Sequence, residues 1–368
     1  MLNQIISENQ KTQILQHFPS LSGRIKIVHQ TSTPSDETLV KRIIRAYGAA
    51  ADTNVGQTDS IWLREFELMN KEAHKTLRSG SLDPVTRLLR NPAESMLFFG
   101  FESIQAKDAA QNQDPTWVKW QHTLCYDNLL QLGAATGLFR AQNPEAPPNI
   151  QRFPEVEDIL SALGPVFGFT IDFPNLFPEE IGLETTRGVA NYRAIQALYQ
   201  AWRIRQYTSG TDRASVCEIG GGLGRTAYYA NRMGIRDYTI IDLPLTGVSQ
   251  AYFLGRTLGE ENICLYDESR QEGKTKILPP MGFHRDSGQF DLIVNFDSMT
   301  EMAEETAQQY LRTITQRSSR FLSINHEANR FTVAELLGKL PNIGTSRNLC
   351  WSRRGYVEEY VEIFESTP

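Results

Sequence analysis

The chain has 368 residues, of which 40% are hydrophobic and 22% charged, and its formal net charge is −6. This length favours two domains, or one domain with a large extension. No apolar run approaches the roughly 20 residues that cross a bilayer, and no basic run is interleaved with aromatic residues. The composition therefore argues against a membrane span and a nucleic-acid surface, and it favours a small-molecule partner.

The four cysteines stand far apart in the chain, at Cys125, Cys217, Cys264 and Cys350. Their separations match neither a disulfide framework nor the ligand spacing of a metal site. The first residues lack the basic and then apolar pattern of a signal peptide. We therefore expect a cytoplasmic protein with reduced thiols.

The first half of the chain has the apolar spacing of packed amphipathic helices. The predicted helices are Thr38 to Ala51, Asp59 to Ser79 and Thr116 to Leu138. A proline-rich loop or linker is predicted at 142–148, and residues 164–182, rich in Phe and Pro, are expected to form a buried loop or a hydrophobic lid. We predict a mainly helical N-terminal domain over residues 1–185, with a further helix from Val189 to Gln206 leading into the next domain.

From Ala214 onward, short strands alternate with helices, which is typical of a parallel βαβ sheet. The predicted strands are Ser215 to Glu218, Tyr238 to Ile241, Asn262 to Tyr266, Phe290 to Asn295, Arg320 to Ile324 and Tyr356 to Phe364. This pattern predicts an α/β domain over residues 186–368.

A glycine motif follows the first of these strands, with Gly220, Gly222 and Gly224 preceded by Glu218. Glycine between a strand and a helix lets the backbone come close to a ligand, because no Cβ intervenes. A dinucleotide-binding fingerprint has its third glycine one position later, where this chain has Arg225. The spacing therefore favours S-adenosylmethionine over NAD. Glu218 is expected near the methionine amino group of that cofactor, the alternative being a surface salt bridge at a strand end.

The next predicted strand ends in Asp242, about 20 residues after the glycines. A carboxylate can accept two hydrogen bonds from a vicinal diol. Asp242 is therefore predicted to hold the ribose hydroxyls, and Leu243 to pack on adenine. The alternative is that Asp242 is a turn residue before Pro244.

These motifs resemble those of the class I S-adenosylmethionine-dependent methyltransferases, and the second half is similar to the sugar O-methyltransferase group of that class. The stretches that carry the resemblance are 218–224, 241–244, 295–302 and 324–327. The resemblance implies a Rossmann-like domain with a mostly parallel, seven-stranded sheet that ends in an antiparallel hairpin. It also implies S-adenosyl-L-methionine as cofactor, a sugar or polyol hydroxyl as methyl acceptor, and a helical extension that covers the active site or forms a homodimer.

The ends of the fourth and fifth predicted strands are polar, and ligands bind at such ends of an open sheet. His326 follows the fifth strand and is the predicted general base, since an imidazole titrates near neutrality; it could also serve only as a hydrogen-bonding residue. Asp297 is predicted to orient the imidazole, bind substrate or ligate a metal. Glu301 is either catalytic or part of a Ser298-x-x-Glu301 capping box. Asn295 is predicted to contact the cofactor or to hold the strand end.

Three further residues are candidates for substrate binding. They are Glu327, beside the predicted base, and Tyr192 with Arg193, on the helix that enters the second domain. Tyr192 and Arg193 could instead be ordinary packing and surface residues. Asp297, Glu301, His326 and Glu327 offer ligands for magnesium, but no spacing specifies a metal, and none is expected.

Three other functions remain open at this stage. The cofactor motif does not report on the acceptor, so methylation of nitrogen or carbon of another metabolite is the first. The second is a methyltransferase-like fold that binds ligands without catalysis. The third is an NAD-dependent oxidoreductase.

Overall fold

The structure is a computed structural model, and it describes residues 23–29, 35–54, 67–91, 95, 97, 115–139, 154–209, 211 and 213–364. The chain divides into two compact units. The first contains Met1–Thr31 and Ser103–Gln196, and the second contains Ser32–Glu102 and Ala197–Pro368. This division differs from the predicted boundary after residue 185, because residues 32–102 group with the C-terminal half.

Helices of the described residues are α1 (Glu37–Ala50), α2 (Glu67–Met69), α3 (Lys71–Arg78), α4 (Leu82–Arg90), α5 (Pro115–Ala135), α6 (Val156–Phe167), α7 (Tyr192–Tyr207), α8 (Arg225–Arg232), α9 (Pro244–Leu258), α10 (Pro280–His284), α11 (Glu304–Arg317) and α12 (Val333–Leu337). Single 3₁₀ turns lie at Ala51–Asn54, Glu260–Asn262 and Met299–Glu301. Within these residues, no helix has the length and apolar character that a membrane span requires.

The strands are β1 (Ile25–Ile27), β2 (Ile181–Thr185), β3 (Gly188–Ala190), β4 (Ser215–Ile219), β5 (Asp237–Ile241), β6 (Ile263–Cys264), β7 (Thr275–Leu278), β8 (Leu292–Phe296), β9 (Arg320–His326), β10 (Ile343–Leu349) and β11 (Tyr356–Ile363).

The first unit combines helices with a small sheet, and it is not purely helical. Strands β1, β2 and β3 form a three-stranded antiparallel sheet in which Ile25 pairs with Leu183 and Leu183 with Ala190. Helix α6 was not predicted, and it continues to Phe167, with Pro165 inside it, so it extends into the stretch 164–182 that was expected to be a loop or lid. In the segment that follows α6, the side chains of Phe173 and Phe177 are buried. Of the two predictions for residues 164–182, a buried loop or a hydrophobic lid, these two side chains agree with the buried loop.

Most predicted helices of the first half coincide with observed ones. Helix α1 matches the prediction for 38–51, and α5 matches that for 116–138. Helices α2 and α3 cover the described part of the segment predicted at 59–79. Residues 59–66 and the predicted linker at 142–148 lie outside the described residues.

The second unit is built on an eight-stranded sheet with the order β10-β11-β9-β8-β4-β5-β7-β6. Pairing is parallel from β9 through β8, β4, β5 and β7 to β6, and β11 is antiparallel to both β9 and β10. The α/β prediction and the terminal antiparallel hairpin are confirmed, and the fold is Rossmann-like. The sheet has one strand more than the seven predicted.

Two strands of this sheet were not predicted. Strand β7 contains Lys276, whose charge interrupts a short apolar run and is paired with Asp237 on β5. Strand β10 is largely exposed and polar, because it is an edge strand that pairs only with β11. Neither shows the apolar alternation by which a strand is recognised in sequence.

One face of the sheet packs against α10, α11 and α12. The buried residues of this core include Cys217, Ile219, Ile293, Phe321, Phe283, Tyr310, Ile314 and Leu336. Strand β4 lies between β5 and β8, so the chain leaves β4 at the point where the strand order reverses. In open α/β sheets the ligand crevice lies there, beyond the carboxyl ends of the strands.

Helix α1 is attached to this unit by buried polar bonds. Asp36, which precedes the helix, is 5% exposed and accepts hydrogen bonds from Arg90 at 2.6 Å and from the Tyr252 hydroxyl at 2.7 Å. Burial alone would raise the pKa of Asp36, but these two partners hold it below its ordinary value. Arg42 on α1 donates to both carboxylate oxygens of Glu268, each at 2.7 Å. Helices α1 and α4 are therefore bonded to the part of the unit that carries the eight-stranded sheet.

Candidate functional site

The parallel strands place several predicted residues along one edge of the sheet. Because parallel strands end on the same side, the ends of β4, β5, β7, β8 and β9 adjoin one another. The predicted residues at this edge are Glu218, Gly220, Gly222, Gly224, Asp242, Leu243, Asn295, Asp297 and His326.

The glycine loop after β4 needs glycine for its own packing. Gly220, Gly222 and Gly224 have φ values of 75°, 54° and 91°, a region that side chains with a Cβ rarely adopt. A Cβ on Gly220 would overlap the Ser298 hydroxyl, and one on Gly224 would lie 2.9 Å from a Leu254 methyl group. The predicted reason for these glycines was close approach to a ligand. The structure adds that the loop also packs tightly on the protein itself.

Glu218 is buried at the end of β4, with 1% of its surface exposed. The Tyr238 hydroxyl donates a hydrogen bond of 3.0 Å to its Oε2. Burial raises the pKa of Glu218 to about 8, although the Tyr238 bond opposes this rise. The alternative interpretation of Glu218 as a surface salt bridge is therefore wrong.

Asp242 is held in place at the end of β5 by bonds from its neighbours. Its Oδ1 accepts the Leu243 backbone N–H at 2.8 Å, and its Oδ2 accepts the Gln250 side-chain amide at 2.7 Å. Burial raises the pKa of Asp242 to about 7, while these bonds and others from Gly221 and Gly222 oppose the rise. A small change in surroundings therefore decides whether this carboxyl is ionised at neutral pH.

Gln250 was not identified from the sequence. It is fully buried on α9, and its amide nitrogen donates to both Asp242 and the Gly222 carbonyl, the latter at 2.9 Å. Its Oε1 has no hydrogen-bond partner among the described residues. The sequence signal that could have identified it is a single glutamine two turns after Asp242, within an otherwise largely apolar helix. The Gln250 side chain is thus hydrogen-bonded to both the glycine loop and Asp242.

A cleft opens beside Asp242. Its lining residues are Ile43, Ala46, Tyr47, Ala50, Asp242, Leu243, Pro244, Gly247, Val248, Ala251, Leu265, Tyr266, Ile277, Leu278 and Pro279. The walls are largely apolar, and a carboxylate stands at the margin. Leu243 was predicted to lie here, whereas the contribution of α1 was not.

Asn295 is completely buried, and its amide joins three neighbouring segments. Its nitrogen donates to the Ile219 carbonyl at 2.8 Å and to the Ser298 hydroxyl at 2.6 Å. Its oxygen accepts from the Asn325 amide at 2.9 Å and the Met299 backbone at 3.1 Å. These bonds agree with the predicted role of holding the strand end, while contact with a cofactor stays a prediction.

The predicted capping box from Ser298 to Glu301 is wrong. The Ser298 hydroxyl donates to the Ile219 carbonyl at 3.1 Å and makes no capping bond. Residues 299–301 form only a 3₁₀ turn, and α11 begins later, at Glu304. The Ser298 hydroxyl is bonded to β4 and is therefore not used to cap a helix. Glu301, half-buried on that turn, stays a candidate without an assigned role.

A cluster of four side chains lies at the ends of β8 and β9 and includes two from the β10–β11 hairpin. Its members are Asp297, His326, Arg353 and Tyr356, and we call it the polar cluster. Asp297 has a φ of 70°, a strained conformation for a residue other than glycine, and forms an ion pair with Arg353. The Arg353 guanidinium lies 3.5 Å from the centre of the Tyr356 ring, which meets the His326 ring edge-on at 5.5 Å. Arg353 and Tyr356 were not predicted as site residues, because they come from the turn and strand of the β10–β11 hairpin.

His326 is half-buried within the polar cluster. Burial lowers the pKa of His326 below its ordinary value, and the charge of Arg353 lowers it further, against the opposing charge of Asp297. The Ala328 backbone N–H donates to its Nδ1 at 3.3 Å, a long hydrogen bond. The imidazole is therefore neutral at pH 7, with Nδ1 as the unprotonated nitrogen.

The three predicted substrate-binding residues have the following contacts in the structure. Glu327 is exposed and forms an ion pair with Arg347 on β10. Tyr192 and Arg193 lie in the first unit at the start of α7, where the Arg193 guanidinium stands 5.4 Å from the Tyr192 ring centre. Their predicted contact with cofactor or substrate stays a prediction. Within the described ranges, no three His, Cys, Asp or Glu side chains are grouped so as to hold a metal ion.

No protein-family model matches the sequence, and neither does any curated protein sequence. Among solved structures, the chain is similar to magnesium protoporphyrin IX methyltransferase (ChlM) from Synechocystis PCC 6803, with 14% identity and a TM-score of 0.35 over 46% of this chain and 81% of that one. It is also similar to the glycopeptide N-methyltransferase MtfA, with 13% identity and a TM-score of 0.35 over 45% of this chain and 94% of that one. An rRNA methylase from Streptococcus thermophilus shows 11% identity and a TM-score of 0.34, over 44% and 95%.

Proposed function

We propose that the protein is an S-adenosyl-L-methionine-dependent methyltransferase that acts on a hydroxyl group of a small molecule, most simply a sugar or polyol. The observation that carries this proposal is the arrangement at the strand-order reversal. A loop with three positive-φ glycines, the Asp242 carboxylate and an apolar cleft adjoin there.

The residues of this edge fit the cofactor. The cleft beside Leu243 and Leu278 has the apolar walls that a flat purine ring requires. Asp242 at its margin can accept both hydroxyls of a ribose. The Gln250 Oε1, buried without a partner among the described residues, adds a free acceptor beside the loop. Glu218, protonated in large part at pH 7, would ionise readily next to the methionine ammonium group.

Adenosylmethionine supplies a methyl group already activated on a sulfonium. The protein then has to align an acceptor hydroxyl and remove its proton. His326 is neutral at pH 7, and its Nδ1 takes this proton once the long bond from Ala328 opens. The nearby Asp297 carboxylate stabilises the resulting imidazolium, and Arg353 holds that carboxylate in place.

A small molecule is the proposed acceptor because the surface chemistry does not favour a polyanion. The net charge is −6, and the sequence contains no basic run. Affinity for nucleic acid depends mainly on lysine and arginine contacts to phosphates. RNA therefore serves as a comparison in the assay below.

Calorimetry with S-adenosylhomocysteine and with NAD tests the cofactor. We expect binding of the first and none of the second. Purified protein is then incubated with methyl-labelled adenosylmethionine and one class of acceptor at a time. The acceptor classes are sugars, amines, carbon acids and RNA. Transfer to hydroxyls supports the proposal, and transfer to another class would replace it. Cofactor binding without transfer to any class would favour the non-catalytic alternative, and preference for NAD would favour an oxidoreductase.

Replacing Asp242 by asparagine is expected to weaken S-adenosylhomocysteine binding by about 10–100-fold, since a hydrogen bond to a charged group contributes about 1.5–3 kcal/mol. Because the pKa of Asp242 is about 7 and only the ionised form accepts both hydroxyls, wild-type affinity should fall about tenfold from pH 8 to pH 6. Calorimetry across this range measures both effects. Asp237→Asn, at the opposite end of β5, is the control and should leave affinity unchanged. Equal affinity of Asp242→Asn and wild type would contradict the ribose role.

A further inference from the structure

The cleft beside Asp242 has one wall that comes from a distant part of the chain. Ile43, Ala46, Tyr47 and Ala50 all lie on α1, almost 200 residues before the acid. Their spacing of three and four residues places them on one face of the helix. These four residues are at most 8% exposed, whereas Ala49, on the other side of the helix, is exposed.

Two sets of bonds hold this wall in position. Asp36 fixes the start of α1 to α4 through Arg90 and to α9 through Tyr252. On the wall itself, the Tyr47 hydroxyl is hydrogen-bonded to Nδ1 of His74 on α3, which restrains the ring. Helix α9 also carries Gln250, the residue that ties Asp242 to the glycine loop. The same helix therefore supports both the wall and the predicted ribose-binding acid.

We propose that α1 forms the outer wall of the adenine subsite, so that Ala46 and Tyr47 are cofactor-binding residues. The inference rests on the proposed adenosylmethionine cofactor. Leu243, Leu278 and Pro279 form the opposite wall, and the base lies between them and α1, next to the Asp242 carboxylate. Cofactor affinity then depends on the packing of α1, a helix that precedes the glycine motif by more than 100 residues.

The proposal also explains why small residues occupy this helix face. Alanine at positions 46 and 50 leaves room between α1 and β7, which larger side chains would fill. Tyr47 supplies a flat apolar surface whose hydroxyl is already engaged by His74. The wall thus offers apolar contact rather than hydrogen bonds, as suits the faces of a purine ring.

The test compares Ala46→Phe with Ala49→Phe in the full chain. Calorimetry with S-adenosylhomocysteine is expected to show at least about tenfold weaker binding for Ala46→Phe, equivalent to about 1.4 kcal/mol, and unchanged binding for Ala49→Phe. Thermal unfolding without ligand shows whether both variants are folded. Hydrogen exchange of the wild-type protein provides a second measurement that needs no variant: the amides of α1 should exchange more slowly when S-adenosylhomocysteine is bound.

Two outcomes would overturn the inference alone. One is wild-type affinity in a folded Ala46→Phe variant, and the other is α1 exchange that does not change when the ligand demonstrably binds. If Ala46→Phe does not fold, the exchange measurement decides. Failure of the wild-type protein to bind S-adenosylhomocysteine would instead overturn the proposed function, and this inference with it.

Discussion

Replacing Gly220 by alanine is expected to abolish cofactor binding and to lower the free energy of unfolding by about 2–4 kcal/mol. Gly220 has a φ of 75°, which costs a residue with a Cβ about 1–2 kcal/mol. The new methyl group would also overlap the Ser298 hydroxyl, which is itself bonded to Ile219 and Asn295. Ser298 cannot move without breaking this network, so the glycine loop has to shift. Urea denaturation and calorimetry measure the two effects.

Gly234→Ala is the matched control for backbone strain. Gly234 has a φ of 96°, but nothing lies within 4 Å of its potential Cβ. This variant should lose about 1–2 kcal/mol and keep its cofactor affinity. The double variant Gly220→Ala with Ser298→Gly removes the overlapping atoms and should recover part of the lost binding. If Gly220→Ala bound cofactor like the wild type, the loop would not have the tight packing described above.

Replacing His326 by alanine is expected to lower kcat by about 10²–10⁴-fold, the usual contribution of a general base. S-adenosylhomocysteine affinity should stay the same, because His326 acts on the acceptor. The lowered pKa of His326 sets the sign of the pH dependence. The neutral form is the base, so at saturating adenosylmethionine the wild-type kcat/KM for the acceptor should fall only below pH 6.5, as the imidazole becomes protonated. Rates from pH 5 to pH 9 with a fixed acceptor measure this.

The neighbouring Glu327 supplies the comparison for this experiment. It is exposed and paired with Arg347. Glu327→Gln should therefore retain both the wild-type kcat and the fall of kcat/KM at low pH. The residual activity of His326→Gln should no longer fall at low pH, because the titrating imidazole is absent. A folded His326→Ala variant with unchanged kcat would show that His326 only shapes the backbone near Ala328.

Elements that form through contacts between neighbours along the chain could be predicted from the amino-acid sequence. The buried strands β4, β5, β8 and β9 and helices α1 and α5 follow from local apolar patterns, because each forms its own hydrogen bonds or buries one continuous face. The glycine motif and Asp242 were predicted for the same reason: each lies directly after a predicted strand.

Features that join distant segments of the chain could not be predicted in this way, because they exist only in the folded protein. Arg353, in the turn of the β10–β11 hairpin, pairs with Asp297 after β8. Ser298 bonds to β4 instead of capping a helix. Both contacts arise because buried polar groups form hydrogen bonds with partners that the fold brings close. The wall formed by α1 has no local signature of a ligand site, and the one local signal for Gln250 is a glutamine within a largely apolar helix. Their positions follow from tertiary packing, which brings β5 and β7 together and places Asp36, at the start of α1, against α9.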